Sequence, residues 1–469
     1  MSHVGVIGLA VMGQNLALNL MDKGFRTSVY NRSEIRTKSM IETAKSQNLI
    51  SALKPTYNLE EFVESLQPPK VIIIMVQSGT PVDKVLSQLK NLCKVEDIIV
   101  DGGNSNFEDT IRRCNDFSET FRFIGCGISG GEEGARFGPC IMPGGDIRAK
   151  ETLMPILKRI SAKSKDDSNP CTTWIGPGGA GHFVKMVHNG IEYADMQIIS
   201  EVYWFMKHCL NMDNEAQTDI LKKKDAKSAD YILDKVSDKA GQKGTGKWTV
   251  SNSLDFAVPV QAISEAVYAR MISGYKSLRI KMQEVYENDK SSESHIDIKD
   301  CNKIISYLKD SLLASKIVAY SQGFSLIKKA SDDYGWNINL GEVAKIFKGG
   351  CIIRSQFLDD IFNAYKNDPN LESLMLDKIY FKNLISSLDY GWRQIVMQAI
   401  SAKIPMPAIS SCLQYFDLLK SKNMASNLIQ AQRDYFGAHG YEEVGKPGTF
   451  VHTEWTEYSG GATSGFYQK

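Results

Sequence analysis

The sequence predicts an α/β protein with a doubly wound N-terminal domain, a large all-α domain and a C-terminal tail. In the first third, short β-branched runs alternate with amphipathic stretches, which is the pattern of parallel strands joined by crossover helices. Beyond Pro177-Gly178-Gly179 the β-branched runs become rare and long helical patterns take over. The last stretch, Gly445–Lys469, holds five glycines and has no helical period. We therefore expect three parts: residues 1–178, 179–435 and 436–469.

The individual elements follow from the hydrophobic period, which is 2 for strands and 3.6 for helices. The predicted strands are His3–Ile7, Thr27–Tyr30, Val71–Val76, Asp97–Asp101 and Phe121–Gly125. The helices between them are predicted at Met12–Lys23, Glu34–Lys45, Pro81–Leu92 and Glu108–Ser118. Later helices are predicted at Ala180–Asn211, Val260–Glu287, Ile298–Ala330, Leu340–Phe347, Leu371–Leu384, Leu388–Ile400 and Ala408–Tyr435.

Composition excludes several classes of protein. The chain is 43% hydrophobic and 23% charged, with a formal net charge of +1, so nothing global attracts nucleic acid or an anionic membrane. The apolar run Val71–Val76 is too short to span a bilayer. Nine cysteines without a C-x-x-C pair argue against a disulfide framework and a zinc site. With a strand pattern starting at once and no signal peptide, we expect a cytoplasmic protein without nucleic-acid or membrane partners.

The stretch Val4–Gly13 has the order strand, tight turn and helix start, with the spacing G-x-A-x-x-G. Gly8 makes the turn, Ala10 is small enough for a diphosphate to approach closely, and Gly13 lets the helix pack on the strand. The helix N-terminus offers free N–H groups and a positive dipole end to that diphosphate. In this setting the motif predicts a Rossmann-type dinucleotide site.

The next strand ends at Tyr30 and is followed by Asn31-Arg32-Ser33. An NAD enzyme usually carries Asp or Glu here to bind the ribose 2′-hydroxyl. This chain has no carboxylate at that point, and the guanidinium of Arg32 suits a 2′-phosphate through bidentate hydrogen bonds. The sequence therefore favours NADP over NAD.

A narrow polar stripe runs along the helix predicted after the glycines. Lys185, His188, Asn189 and Glu192 are spaced i, i+3, i+4 and i+7, and the other positions are almost all apolar. Buried polar groups need partners, so this stripe is expected to meet a polar substrate. Lys185 and Glu192 are two turns apart, about 10 Å along the axis, which suits acid–base work at two ends of a small molecule. The alternative, a face turned to water, is disfavoured by the apolar neighbours.

Two loops of the first domain are candidates to face this helix. Asp101–Ser105 follows a strand, at the edge where α/β sheets bind ligands. Gly127–Glu132 offers a hydroxyl group and free backbone N–H groups that can form an anion-binding nest. Each loop, taken alone, is equally compatible with a simple turn.

Eight sequence motifs are spread over nearly the whole chain. They are G-L-A-V-M-G-Q-N-L-A-L-N from Gly8, Y-N-R-S from Tyr30, D-G-G-N-S from Asp101, I-S-G-G-E-E-G-A-R-F-G-P from Ile128, M-P-G-G from Met142, K-M-V-H-N-G-I-E-Y from Lys185, G-Q-K-G-T-G-K-W-T from Gly241 and A-Q-R-D-Y-F-G-A-H from Ala431. With these motifs, in this order, the sequence resembles the decarboxylating 6-phosphogluconate dehydrogenases. Shorter relatives among the hydroxyacid dehydrogenases lack the last two motifs, so the set is specific.

The resemblance implies NADP-linked oxidation of 6-phosphogluconate to ribulose 5-phosphate and carbon dioxide, a step of the oxidative pentose phosphate pathway. It implies that Lys185 takes the proton of the C3 hydroxyl as hydride leaves C3, and protonates that oxygen after decarboxylation. Glu192 then supplies a proton at C1. No metal is implied. Lys185 must be neutral at the start, and burial would lower its pKa in the needed direction.

The resemblance also implies binding residues. The sugar acid would be held by Asn104, Ser129, Gly130, Gly131, His188 and Asn189. Its phosphate would be held by Tyr193, Lys243, Arg270 and Arg433, with His439 closing the site. The cofactor-binding positions would be Gly8, Ala10, Val11, Met12, Gly13, Asn31, Arg32, Ser33, Val76, Gln77 and Asn104.

Family members are homodimers in which the C-terminal region reaches into the neighbouring subunit, which implies that Arg433 and His439 complete the partner's site. Two features depart from the family. Gln77 stands where members usually carry a lysine, which affects one cofactor contact. The segment Asn211–Lys239 is shorter than in relatives and lacks their W-N and S-Y-L-I-E-I-T signatures.

Two alternative functions stay open on the residues alone. An NADP-linked dehydrogenase of another 3-hydroxy acid would not need the cations Lys243, Arg270 and Arg433. A catalytically silent NADPH-binding subunit would have no reason to keep both Lys185 and Glu192.

Overall fold

A computed structural model describes residues 1–212, 219–228, 230–286 and 300–456. Parts of three predicted features therefore lie outside the described residues: the segment Asn211–Lys239, the helix ends at Glu287 and Ile298, and the tail beyond residue 456. The chain divides into two compact units between Cys412 and Leu413. The predicted boundaries at residues 178 and 435 stay predictions.

The first unit contains a seven-stranded sheet. Its strands are β1 (Val4–Ile7), β2 (Thr27–Tyr30), β3 (Leu53–Pro55), β4 (Val71–Ile74), β5 (Ile98–Asp101), β6 (Arg122–Ile128) and β7 (Ile141–Gly145). Their order is β3-β2-β1-β4-β5-β6-β7. All neighbours are parallel except β6 and β7. The order reverses between β1 and β4, so their carboxyl ends border the crevice where such sheets bind dinucleotides.

Helices cover both faces of this sheet. They are α1 (Val11–Asp22), α2 (Glu34–Ser46), α3 (Leu59–Glu64), α4 (Thr80–Leu89), α5 (Phe107–Asp116), α6 (Gly131–Phe137) and α7 (Lys150–Ile160). One apolar core joins α1, α2 and α7 to the sheet, and a second joins α3 and α4 to its other face. Successive residues of β4 alternate between the two cores, as the period of a strand requires. The predicted doubly wound α/β fold is confirmed.

Helices make up most of the described chain beyond residue 179. They are α8 (Ala180–Cys209), α9 (Asp219–Lys222), α10 (Ile232–Lys235), α11 (Thr245–Asp255), α12 (Gln261–Ser273), α13 (Lys276–Tyr286), α14 (Cys301–Tyr334), α15 (Leu340–Ile346), α16 (Leu358–Asn367), α17 (Phe381–Ser401), α18 (Pro407–Lys420) and α19 (Ser426–Gly437). A two-stranded antiparallel ribbon, β8 (Tyr441–Glu442) and β9 (Phe450–Val451), comes after α19. Every helix in the described ranges is too short or too polar to cross a membrane.

Several predicted elements were wrong in extent. The predicted helix Val260–Glu287 is split at Gly274 into α12 and α13, and Ala408–Tyr435 is split into α18 and α19. In the predicted helix Leu371–Leu384, only a short 3-10 turn precedes α17. The reason is Asp377, whose carboxylate accepts backbone N–H groups at the start of α17 and so caps that helix.

Glu201 connects α8 to the start of α18. Its buried carboxylate accepts the backbone N–H groups of Ala408 and Ile409, each at 2.9 Å, and the side-chain amide of Gln197 at 2.9 Å. N–H groups in the first turn of a helix have no acceptor within that helix. Glu201 therefore caps α18 from a different element, and burial raises its pKa to about 7.

We expect Glu201→Ala to lower the free energy of unfolding by about 2 kcal/mol, because two buried N–H groups lose their acceptor. Glu201→Gln is the matched control, since it keeps the side-chain volume and one oxygen acceptor and should lose less. Urea unfolding followed by circular dichroism measures both variants. An unchanged midpoint in Glu201→Ala would rule out the capping role.

Candidate active site

The turn between β1 and α1 has the geometry of a diphosphate-binding loop. Gly8 has φ = +96°, and a Cβ on it would lie 2.6 Å from the carbonyl oxygen of Met75. A Cβ on Gly13 would overlap the carbonyl oxygen of Gly8. Both positions therefore require glycine, and Ala10 is the N-cap residue of α1. The backbone is left bare where a dinucleotide would approach.

Asn31 holds the loop after β2 against this turn. Its side-chain oxygen accepts the N–H of Leu9 at 2.9 Å, and its amide nitrogen donates to the carbonyl oxygen of Ser33 at 3.0 Å. Arg32 and Ser33 are exposed beside it. Arg32 is thus an exposed residue just after the carboxyl end of β2, and its contact with a 2′-phosphate stays a prediction.

The loops after β4 and β5 meet at the same edge of the sheet. Val76 lies next to the Gly8 turn, and a Cβ on Gly103 would be 3.4 Å from the carbonyl oxygen of Val76. Gln77 and Asn104 are exposed on these two loops. The fold therefore gathers the predicted cofactor positions of four loops at one edge. Val11 and Met12, in the first turn of α1, are exposed and half-buried respectively.

The polar stripe on α8 is buried, as predicted. Lys185 is 6% exposed and His188 0%, while Asn189 and Glu192 are half-buried. The Lys185 amine donates to Oδ1 of Asn189 at 2.9 Å. The same oxygen lies 3.1 Å from Nδ1 of His188, so that nitrogen carries the ring proton. Asn189 in turn donates to the hydroxyl of Thr245 at 3.2 Å. Lys185, His188 and Asn189 thus form one hydrogen-bonded network, and Glu192 lies beside it with a carboxylate oxygen 3.9 Å from Nδ1 of His188.

The loop after β6 closes on this network. With Nδ1 of His188 protonated, its Nε2 is free to accept from the hydroxyl of Ser129, 3.4 Å away. Gly130 and Gly131 come next, with φ = +98° and +61°. A Cβ on Gly130 would lie 2.5 Å from the carbonyl oxygen of Gly350. The backbone at Gly130 therefore packs closely against the loop that contains Gly350, and the Ser129 hydroxyl faces α8.

The predicted phosphate ligands of the first unit include Tyr193, which directly follows Glu192 on α8, and residues of two neighbouring segments. The guanidinium carbon of Arg270 stacks 3.6 Å from the ring centre of Tyr193, and Arg270 donates to the carbonyl oxygen of Gly241 at 3.1 Å. Lys243 is exposed on the loop that begins there. The close packing of Gly246 on the Tyr193 ring holds that loop in place. Tyr193 and Arg270 are thus in contact, and Lys243 lies two residues after Gly241, whose carbonyl oxygen Arg270 bonds. Their role in binding phosphate stays a prediction.

Burial tunes the protonation of the stripe. It lowers the pKa of Lys185, although the charge of Glu192 opposes this shift. It lowers the pKa of His188 far below its usual value, and the positive charge of Lys185 acts in the same direction. It raises the pKa of Glu192 against the influence of Lys185 and Arg270. The pair is therefore shifted toward a neutral amine and a neutral carboxylic acid, the forms in which these groups can accept and donate a proton.

Arg433 and His439 belong to the second unit. The guanidinium of Arg433 donates to the side chain of Gln430 at 3.1 Å, and Gln430 donates to the carbonyl oxygen of Gly440 at 2.6 Å. The second bond holds Gly440, the residue after His439, to α19. The role of Arg433 and His439 in binding phosphate stays a prediction.

Two residues that position the site were not predicted from the sequence. Thr245, the partner of Asn189, lies 56 residues away. His182 lies one turn before Lys185, and its buried ring is 2.7 Å from the hydroxyl of Thr110 on α5. The helical period could have identified His182, because it extends the stripe by one more turn. Nothing in the local sequence identifies Thr245.

Comparisons with known proteins cover both parts of the chain. A family model described as the NAD binding domain of 6-phosphogluconate dehydrogenase matches residues 3–176. A model of the C-terminal domain of 6-phosphogluconate dehydrogenase matches residues 181–223 and 215–455. The two segments of that match meet inside Asn211–Lys239, the segment whose sequence departs from the family.

Individual relatives agree with these models. The chain is 46% identical to the NADP(+)-dependent, decarboxylating 6-phosphogluconate dehydrogenase of Bacillus subtilis, over 97% of this chain and 99% of that protein. It is 46% identical to a decarboxylating 6-phosphogluconate dehydrogenase of Synechocystis, over 97% of each.

A solved structure is also similar over nearly the whole chain. The 6-phosphogluconate dehydrogenase of Plasmodium falciparum, determined in its apo form and in complex with NADP+ and with 6-phosphogluconate, has a TM-score of 0.90. It is 41% identical, over 97% of this chain and 100% of that one. The resemblance carried by the sequence motifs is confirmed, and the chain belongs to the 6-phosphogluconate dehydrogenase family.

Proposed function

We propose that this chain oxidises and decarboxylates 6-phosphogluconate with NADP, using Lys185 as base and Glu192 as acid. The observation that carries this proposal is the buried stripe on α8, where an amine with a lowered pKa and a carboxyl with a raised pKa lie two turns apart. In this mechanism residues 1–178 hold the cofactor, 179–435 hold the substrate, and 436–469 reach a partner subunit.

NADP fits the loops at the carboxyl edge of the sheet. The bare backbone at Gly8 and Gly13 accommodates the diphosphate, Asn31 fixes the neighbouring loop, and Arg32 meets the 2′-phosphate. Gln77 replaces a lysine usual in the family and can donate a hydrogen bond without adding charge. When bound, NADP accepts a hydride from C3 of the substrate.

Lys185 begins the chemistry on the substrate. As a neutral amine it takes the proton of the C3 hydroxyl while C3 is oxidised to a ketone. Asn189 accepts a hydrogen bond from the Lys185 amine and so fixes the orientation of the lysine nitrogen. The ammonium that results is stabilised by its hydrogen bond to Asn189.

The 3-keto acid then loses carbon dioxide, because the C3 carbonyl accepts the electrons of the breaking bond. The Lys185 ammonium protonates that oxygen and gives an enediol. Glu192, whose pKa is raised by burial, retains a proton that it can deliver to C1 of the enediol, the carbon that was C2 of the substrate. The neighbouring hydroxyl returns its proton to Lys185 and becomes the ketone of the product. Ser129 and His188 lie where they can bond the substrate's carboxylate and hydroxyl groups.

Arg270 and Lys243 would select the substrate by the negative charge of its phosphate group. A phosphate is dianionic, and a chain with net charge +1 has no global field to attract it. The half-buried Arg270, stacked on Tyr193, is preorganised for charge-assisted hydrogen bonds. A 3-hydroxy acid without phosphate would leave these cations without a ligand.

A homodimer is the proposed assembly. In the described part of the chain, none of the 11 residues of α13 is buried. Apolar surface of this extent on a helix favours burial against another chain. The exposed apolar side chains on α12 and α13 are Tyr268, Met271, Ile272, Leu278, Ile280, Met282, Val285 and Tyr286. A second copy seated there would be the partner whose site Arg433 and His439 complete.

The free thiols of all nine cysteines suit a reducing compartment, so we also propose a cytoplasmic location.

The test of this function is the stoichiometry of two products. With 6-phosphogluconate and NADP we expect equal amounts of NADPH and trapped carbon dioxide. Lys185→Met should reduce turnover by at least about 10³-fold, because the general base is lost, yet still bind NADPH. Lys329→Met on the exposed face of α14 is the matched control and should retain full turnover. NADPH without carbon dioxide would show oxidation without decarboxylation and contradict the proposal, and no turnover in the unaltered chain would indicate a silent subunit.

We expect Arg32→Glu to raise KM for NADP at least about tenfold, because a carboxylate would face the 2′-phosphate. KM for NAD should change little, since NAD has no phosphate at that position. Arg26→Glu makes the same charge reversal at the opposite end of β2 and serves as control. If both cofactors lose affinity equally, Arg32 does not read the 2′-phosphate.

Two inactive variants should restore activity to each other if sites are shared between subunits. Lys185→Met and Arg433→Ala each remove one half of a composite site. A heterodimer of the two has one site with both defects and one intact site, so random mixing should recover about one quarter of the unaltered activity. Differently tagged chains allow the heterodimer to be isolated and assayed. An inactive isolated heterodimer would place Arg433 and Lys185 of one chain in the same site.

A further inference from the structure

We propose that Arg113 is a positioning residue that sets the loop carrying Asn104, and through it the binding of both cofactor and substrate. This inference rests on the proposed function and on the two contacts that the family resemblance implies for Asn104, one with the cofactor and one with the sugar acid. Arg113 lies on α5 with its side chain fully buried, and the mechanism above gives it no direct role.

One carboxylate, that of Asp101, bonds the residues immediately before and after Asn104. Asp101, at the end of β5, accepts the N–H of Gly103 at 3.0 Å with Oδ1. Its Oδ2 accepts the hydroxyl of Ser105 at 2.6 Å. Asp101 and Ser105 are buried, while Asn104 between them is exposed. The orientation of the Asp101 carboxylate therefore sets the position of the Asn104 backbone, and with it the position of the Asn104 side chain.

Arg113 fixes that carboxylate and ties it to a second loop. Its Nη1 donates to Oδ2 of Asp101 at 3.4 Å, and its Nη2 donates to the carbonyl oxygen of Gly79 at 3.1 Å. Its Nε donates to Asp83 at 2.8 Å. Gly79 is the N-cap residue of α4, two positions after Gln77. One planar guanidinium thus spans the loops after β4 and β5, both of which carry proposed cofactor contacts.

The geometry requires arginine. An ammonium group is a single point of charge and cannot reach three acceptors arranged around a plane. Removing the guanidinium would leave the fully buried Asp101 carboxylate without its cation, so the loop would rearrange to hydrate it. The hydrogen bond from Arg113 also lowers the pKa of Asp83, which keeps that partner ionised.

The preceding residue provides a matched control. Arg112 also pairs with Asp83, at 3.0 Å, but it is 46% exposed and its other partners are Asp109 and Asp116 on the surface of α5. Arg112→Met and Arg113→Met each remove one positive charge from the same helix. Only the second removes the bridge between the two loops.

The experiment compares these variants by steady-state kinetics and by NADPH fluorescence titration. For Arg113→Met we expect KM for NADP, KM for 6-phosphogluconate and Kd for NADPH to rise about tenfold each. Arg112→Met should stay within about twofold of the unaltered chain. Arg113→Lys should behave like Arg113→Met, because it keeps the charge without the fork. Unchanged constants in Arg113→Met, or a loss of kcat alone, would overturn the proposal.

A milder variant covers the case in which Arg113→Met does not fold. Ser105→Ala removes only the hydroxyl that bonds Asp101, and it should raise the same three constants about threefold. Constants that do not change in Ser105→Ala would overturn the proposal. The fluorescence titration needs no turnover, so an unaltered chain that fails to oxidise 6-phosphogluconate would contradict the proposed function while the NADPH affinities still decide the role of Arg113.

Discussion

The chemistry of this protein depends on how closely α8 approaches β6. Gly127 on β6 faces Lys185, and any side chain at that glycine would overlap the Cβ of the lysine. On another side of α8, Gly190 gives the same close approach to Thr249 of α11. A larger residue at either position would push α8 outward and let water reach the amine. The pKa of Lys185 would then return toward that of an ordinary surface lysine, and the base would be protonated.

Burying that amine creates a demand for hydrogen bonds that the surrounding elements meet. Asn189 satisfies Lys185, His188 and Thr245 at once, so a single amide links the buried amine, the His188 ring and α11. The ring of Phe347 packs edge-on against His188, 5.1 Å between centres, and excludes water from one side. These partners are in place before substrate arrives. The network therefore does not need to reorganise when the proton moves, which is the condition for electrostatic preorganisation.

Sequence reasoning succeeded where the information was local. The spacing of Lys185 and Glu192 fixes one face of a helix, and the glycines after β1 fix a turn, whatever lies elsewhere in the chain. It missed β3, which has only three residues, and β7, whose sequence I-M-P-G-G has low strand propensity and is held by antiparallel pairing with β6. Contacts such as His182 with Thr110, 72 residues apart, depend on how α5 packs beside α8. Such contacts carry no local signal.

The second unit shows how a short segment can present charged residues in fixed positions. Asp434, fully buried and adjacent to Arg433, accepts hydrogen bonds from the backbone of Gly440 and Thr453 and from the side chains of His452 and Trp455. Burial opposes its ionisation, yet these four donors hold its pKa well below the usual range. A segment of this size buries too little apolar surface to be ordered by a core alone. The ionised carboxylate of Asp434 thus connects α19 to the residues that flank both ribbon strands. It also fixes the backbone next to Arg433.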